Sequence, residues 1–171
     1  LNLNFTQKLT RTAVLLTVTL VLQGLRIILP MPPQTGMFII GSLVNTCLVL
    51  AVLLIGWKPA VIVACMTPLF AWLEGMLPFL PFIIPVAVGN IVFVTAVFLF
   101  RPYHLTGWVL AVCLKCVSLC GAFYLLFSIM DFPPFIRASI FLMMSWPQLV
   151  TASMGILLAL AIAERIQKRY Y

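Results

Sequence analysis

The sequence predicts an all-α integral membrane protein of six transmembrane helices, with both termini in the cytoplasm. Three observations carry that reading. Of the 171 residues, 64% are hydrophobic and only 8% are charged, whereas a soluble domain carries roughly a quarter charged residues. The apolar residues fall into six stretches, each near the ~20 residues a helix needs to cross ~30 Å of hydrocarbon. The ten basic and three acidic residues are spread unevenly between the two sides of those stretches. Six spans leave only short loops, so the chain is one transmembrane domain over residues 1–171. No soluble enzyme or nucleic-acid module fits in the remainder, and no G-x-x-x-x-G-K-[ST] loop is present to bind ATP. The net charge of +7 is therefore a signal of membrane orientation, and no nucleic-acid partner is expected.

Each element has its own argument. Lipid cannot satisfy an open backbone, and the alternation of a barrel strand is missing, so the spans are helices. The first, about 12–29, has the basic flank of a signal peptide in Lys8 and Arg11. It is too long for one, contains Gln23 and Arg26, and lacks a small-x-small cleavage site, so it reads as a retained span. The prolines of residues 30–34 end it. The second, 37–56, closes at the basic turn Trp57-Lys58-Pro59. The third, 59–77, stops at Pro78. The fourth, 82–100, follows a proline-laden connection and ends at Arg101-Pro102-Tyr103-His104. The fifth, 106–129, ends before Asp131-Phe132-Pro133-Pro134. The sixth, 138–163, carries a small stripe of Ser145, Gln148, Ala152, Gly155 and Ala159 for close helix approach. A kink is expected at Pro147.

Placing the N-terminus inside puts Lys8, Arg11, Lys58, Arg101, Arg165, Lys168 and Arg169 in the cytoplasm. Only Arg26 and Arg137 then face outward, which satisfies the positive-inside rule.

Polar residues within such spans are costly unless they face protein or water, which makes them the site candidates. Asn45, Asn90 and Trp146 each lie eight positions past the expected outer start of a helix, about 12 Å down, with Gln148 slightly deeper. Together they form a layer just outside the bilayer middle, with Glu74 and Arg26 above it. Lys115 is deeper still, on a helical face shared with Ala111, Ser118 and Ala122. A mid-span lysine costs at least ~2.5–3.5 kcal/mol, so it reads as a ligand anchor or gating partner. Cys113, Cys116 and Cys120 have no second thiol pair or histidine cluster beside them, so they read as packing groups and not as a metal or redox site. No metal or cofactor is expected, and neither is catalysis.

Residues 32–45 (PPQTGMFIIGSLVN) resemble the first outer loop and second helix of the substrate-binding S components of energy-coupling factor (ECF) transporters. Residues 67–75 (TPLFAWLEG), 82–90 (FIIPVAVGN) and 145–152 (SWPQLVTA) resemble the third, fourth and last helices. The resemblance covers most of the chain. It implies a substrate-capture subunit in the plasma membrane of a prokaryote, binding a vitamin or other micronutrient from the outer side. It also implies partners: a transmembrane scaffold subunit and two cytosolic ATPases. Family members commonly dock through Ala-x-x-x-Ala on the first helix, where this chain reads Ala13-x-x-x-Thr17. The substrate is not inherited, because the vitamin-specific motifs are missing. Two other classes are weighed against it. A non-catalytic cell-envelope assembly protein has no use for a buried lysine. A lipid- or quinone-modifying enzyme needs clustered protic groups, and Glu74, Asp131 and His104 are scattered.

Overall fold

A computed structural model of the chain describes residues 4–29 and 32–170. The side chains of Pro33, Pro102 and residues 167–170 fall outside the described residues, as do Pro30 and Met31 of the first outer connection. The Lys168 and Arg169 charges used for orientation are therefore outside them too. The described chain is helical: α1 (Phe5–Ile28), α2 (Pro33–Leu54), α3 (Trp57–Leu73), α4 (Ile83–Phe100), α5 (His104–Ile129), α6 (Pro134–Met143) and α7 (Trp146–Tyr170). Short 3-10 turns at Leu80–Phe82 and Arg101–Tyr103 lead into α4 and α5.

Five segments are long and apolar enough to cross a membrane, one of them counted through the α6–α7 junction over Pro134–Ile166. The chain thus has the helices of a multi-pass membrane protein. The third expected span differs from the expectation. It ends at Leu73 and not at 77, leaving 17 residues, about 26 Å of helix. The reason is local. Gly75 adopts φ +72°, which glycine tolerates without strain, and the chain closes on itself there. Met76 N–H donates to the Ala71 carbonyl at 2.8 Å and Gly75 N–H to that of Trp72 at 3.0 Å, the paired bonds of a Schellman cap. Within α3, Pro68 has no N–H for the Ala64 carbonyl. The Thr67 hydroxyl donates to that carbonyl at 3.3 Å.

The sixth expected span, 138–163, is not continuous. It divides into α6 and α7 at Met144-Ser145, and Pro147 sits in the first turn of α7, where a missing N–H costs nothing. The carbonyls freed by the break are recovered by side chains. Ser145 Oγ donates to the Leu142 carbonyl at 3.0 Å and Gln148 Nε2 to that of Met143 at 3.5 Å. From α5, Cys120 Sγ donates to the Met144 carbonyl at 3.3 Å and Cys116 Sγ to that of Ser145 at 3.4 Å. Two of the three α5 cysteines therefore act as weak donors that stitch the break to α5.

The bundle is organised around α2, which touches α1, α3, α4 and α7 and buries Leu48, Val49, Ala51 and Val52 almost completely. Its most extensive neighbour is α7. The two helices run parallel, since Phe38 meets Trp146, Gly41 meets Thr151, and Asn45 meets Gly155. The expected small stripe is responsible: Ala152, Gly155 and Ala159 are buried. A Cβ on Gly155 would lie 2.5 Å from the Asn45 Cβ and 3.0 Å from backbone atoms of Asn45 and Thr46. A second cluster, near the α5–α6 end, is aromatic. Phe82 packs edge-on to Phe123 at 5.3 Å and to Phe127 at 6.1 Å, geometries favoured by the ring quadrupole. It anchors the turn before α4 against α5.

In contrast to these, α1 is peripheral. It buries only Thr19 and Gln23 and exposes Phe5, Leu9, Val14, Val18 and Val21.

The close α2–α7 contact makes a direct prediction. Gly155→Ala should lower stability by ~1–3 kcal/mol through overpacking. Gly121→Ala on α5, with no atom within 4 Å of the added Cβ, should be neutral or gain up to ~1 kcal/mol of helix propensity. Thermal unfolding of both variants in lipid nanodiscs measures the contrast, and equal midpoints would refute the close approach.

Candidate functional site

Six of the buried polar residues form two hydrogen-bonded sets between helices. Asn45 is fixed on α2 by the Gly155 contact, with its carboxamide turned toward α5 and α7. Its Oδ1 accepts from Lys115 Nζ at 2.5 Å, and its Nδ2 donates to Thr151 Oγ1 at 3.4 Å. Both ends of the amide are thus committed, which assigns its orientation. Lys115 is only 3% exposed. Its Nζ also lies 4.8 Å from the centroid of the Phe93 ring on α4, where the face of the π-system attracts a cation. Across the bundle, Asn90 Nδ2 donates to Thr67 Oγ1 at 3.2 Å. Gln23 Nε2 on α1 donates to the Thr67 carbonyl at 3.2 Å. Every one of these side chains is buried.

Above this layer is a cavity of about 790 Å³, within the size range of small-molecule sites. Asn45, Asn90 and Lys115 line its inner part; Phe38, Met143 and Met144 are among its apolar walls. Phe79, Phe135 and Trp146 also line it and are exposed by 38%, 80% and 54%, so the cavity reaches the protein surface at that rim. Arg26 contributes a second cation. None of the described lining residues is acidic.

The residues singled out from the sequence are placed as follows. Asn45, Asn90, Lys115, Trp146 and Gln148 line this one cavity, and Glu74 does not. Glu74 caps the end of α3 and faces α1, so that a Cβ on Gly24 would come within 3.5 Å of its Oε1. Its Oε2 is buried without a hydrogen-bond partner among the described residues. The expected single layer divides into two. Trp146 is the first residue of α7 and not a mid-helix group, because the break precedes it. Its ring lies tilted at 42° against Phe38, 5.7 Å between centroids, and Phe38 is seven residues or ~10 Å of helix above Asn45. Lys115 belongs to the Asn45 level and not below it. Gln148 lines the cavity but spends its amide N–H on the α6 carbonyl. Ala13 and Thr17 lie on the exposed face of α1, with the Thr17 hydroxyl donating to the Ala13 carbonyl at 2.9 Å.

Thr67, Thr151 and Phe93 complete the layer and were not readable from the sequence. A threonine in an apolar helix ordinarily donates to its own backbone, as Thr46 and Thr19 do here, so its type carries no signal. The usable clue was position: Thr151 lies three residues after Gln148, and Thr67 lies just before a mid-helix proline.

No family model, curated protein or solved structure matches this chain.

The Lys115–Asn45 bond is testable by a double-mutant cycle. Asn45→Ala removes the acceptor of a buried lysine and should cost ~1–3 kcal/mol. In a Lys115→Met background the same change should cost less, leaving a coupling of ~0.5–3 kcal/mol. Additive losses in nanodisc unfolding would mean that the two side chains act independently.

Proposed function

We propose that this chain is the substrate-capture subunit of an ECF-type importer, a non-catalytic membrane protein that binds a micronutrient and hands it to a scaffold subunit driven by two ATPases. One observation carries the reading: a metabolite-sized cavity, open at one end of the bundle, with its buried polar groups gathered on the inner wall. Five helices contribute buried polar side chains to that wall, Gln23 from α1, Asn45 from α2, Thr67 from α3, Asn90 from α4 and Lys115 from α5, and interhelical packing alone does not require a void of this size. The resemblance of residues 32–45, 67–75, 82–90 and 145–152 to S components supports the same conclusion. Those segments form the α2, α3, α4 and α7 walls of the cavity.

In this reading the rim formed by Phe79, Phe135 and Trp146 faces outward, and both termini are cytoplasmic, as the basic-residue asymmetry requires. Capture is then a binding step, without bond making. The exposed face of α1 carrying Ala13 and Thr17 is the docking face for the scaffold, and small residues there permit close helix approach. Delivery would follow from the energy of the ATPases, since the chain itself carries no nucleotide loop.

Two measurements test this. Reporter fusions at the C-terminus and in the 130–133 connection should report inside and outside, respectively; an outward C-terminus refutes the proposal. In proteoliposomes the isolated chain should bind substrate without accumulating it, and co-reconstituted scaffold and ATPases should confer ATP-dependent uptake. Accumulation against a gradient by the chain alone would be decisive against a capture subunit.

A further inference from the structure

We infer that the ligand of this cavity is a small amphipathic carboxylate, held with its anionic end at Lys115 and its apolar body against the Phe38, Met143, Met144 and Trp146 wall. The inference rests on reading the cavity as a capture site and adds the chemical class of what is captured. Its basis is a charge imbalance. Lys115 and Arg26 both line the cavity, no described lining residue is acidic, and no carboxylate lies within 4 Å of Lys115 among the described residues. The Arg137–Asp131 ion pair, at 3.2 Å, staples the loop before α6 and does not involve Lys115.

A buried ammonium without a counter-charge is costly. Lys115 offsets part of that cost with Asn45 Oδ1 and the Phe93 ring, both neutral. An ammonium has three donors, of which one is directed to Asn45. A ligand carboxylate reaching the inner wall would accept a further Lys115 donor and supply the missing charge, and such charge-assisted bonds are the strong ones. A cationic ligand would meet two like charges in a low-dielectric site, which excludes it. A neutral polar ligand would leave the ammonium uncompensated. The remaining wall is apolar, flexible at the two methionines and aromatic at the rim, so it suits a hydrocarbon or ring body.

The test uses full-length protein in lipid nanodiscs and three probes sharing one body: 5-phenylvalerate, 5-phenylvaleramide and 5-phenylpentylamine. Binding is read by Trp fluorescence and by thermal stabilisation at millimolar concentration. The carboxylate should bind about ten- to hundred-fold more tightly than the amide, and the amine should not bind. Lys115→Met should abolish the preference of carboxylate over amide, while Arg26→Gln should leave most of it. If Lys115→Met does not fold, Lys115→Gln serves as the neutral variant, and Lys115→Arg should keep the preference. Equal binding of carboxylate and amide, binding of the amine, no binding of any probe, or loss of preference only in Arg26→Gln would each overturn the inference. Capture of a neutral solute with intact ATPase coupling would sink the carboxylate alone. Carboxylate binding without any coupling to a scaffold would instead sink the importer reading.

Discussion

The contact on which the site depends is the approach of α7 to α2 at Gly155. A parallel pair of helices comes so close that the Asn45 Cβ, with backbone atoms of Asn45 and Thr46 just behind it, occupies the space a side chain on residue 155 would need. This holds Asn45 in a single position and aims its carboxamide at α5 and Thr151. Lys115 is tolerated in the interior because that amide oxygen is waiting for it. Small-residue packing in a membrane gives van der Waals contact without a hydrophobic driving force. Here it also sets the geometry of a polar group, so a missing side chain on one helix determines where a charge sits on another.

The second constraint is the α6–α7 break, and it works by conservation of hydrogen bonds. Interrupting an apolar helix frees carbonyls that need new donors wherever water is absent. Ser145, Gln148, Cys116 and Cys120 supply the donors, two from the chain around the break and two from α5. The break is therefore a built feature, and it has a consequence for the cavity. By ending α6 before α7 begins, it turns Met143 and Met144 into cavity wall and brings Trp146 to the rim. The same economy appears in α3, where Pro68 frees the Ala64 carbonyl, Thr67 donates to it, and the Thr67 hydroxyl oxygen accepts from Asn90. Pro68 and Thr67 in α3, like Gln148 beside the α6–α7 break, line the cavity.

The distribution of polarity then follows a simple order from one side of the bundle to the centre. At the rim are exposed aromatics and Arg26, below them methionine and aliphatic wall, and at the inner end the Asn45–Lys115 and Asn90–Thr67 pairs. The aromatic cluster of Phe82, Phe123 and Phe127 stands beside this column and fixes the turn before α4, so that the α4 helix presents Asn90 and Phe93 inward. Glu74, near this end of α3, faces α1 at Gly24 and is not among the lining residues, so the described lining holds two basic residues, Arg26 and Lys115, and no acid.

Composition and periodicity alone determined that the chain is helical and built for a membrane, because 8% charge cannot solvate a globular surface and each apolar stretch is bounded by proline, glycine or a basic turn. They also determined which residues were worth attention, since a lysine or asparagine inside a span is expensive wherever it ends up pointing. Asn45, Asn90 and Lys115 were legible for that reason. Their pairing was not, because it depends on α2 and α7 lying in parallel register 110 residues apart in sequence, a relation no local pattern encodes. Glu74 was misplaced because the Schellman cap at Gly75 ends α3 early and turns the carboxylate toward a helix fifty residues upstream. Trp146 and Gln148 lie nearer a helix start than one continuous span over 138–163 predicts, because hydrogen bonds from α5 cysteines sustain a break between α6 and α7. Sequence fixes the cost of each polar group; only the packed bundle decides which neighbour meets that cost.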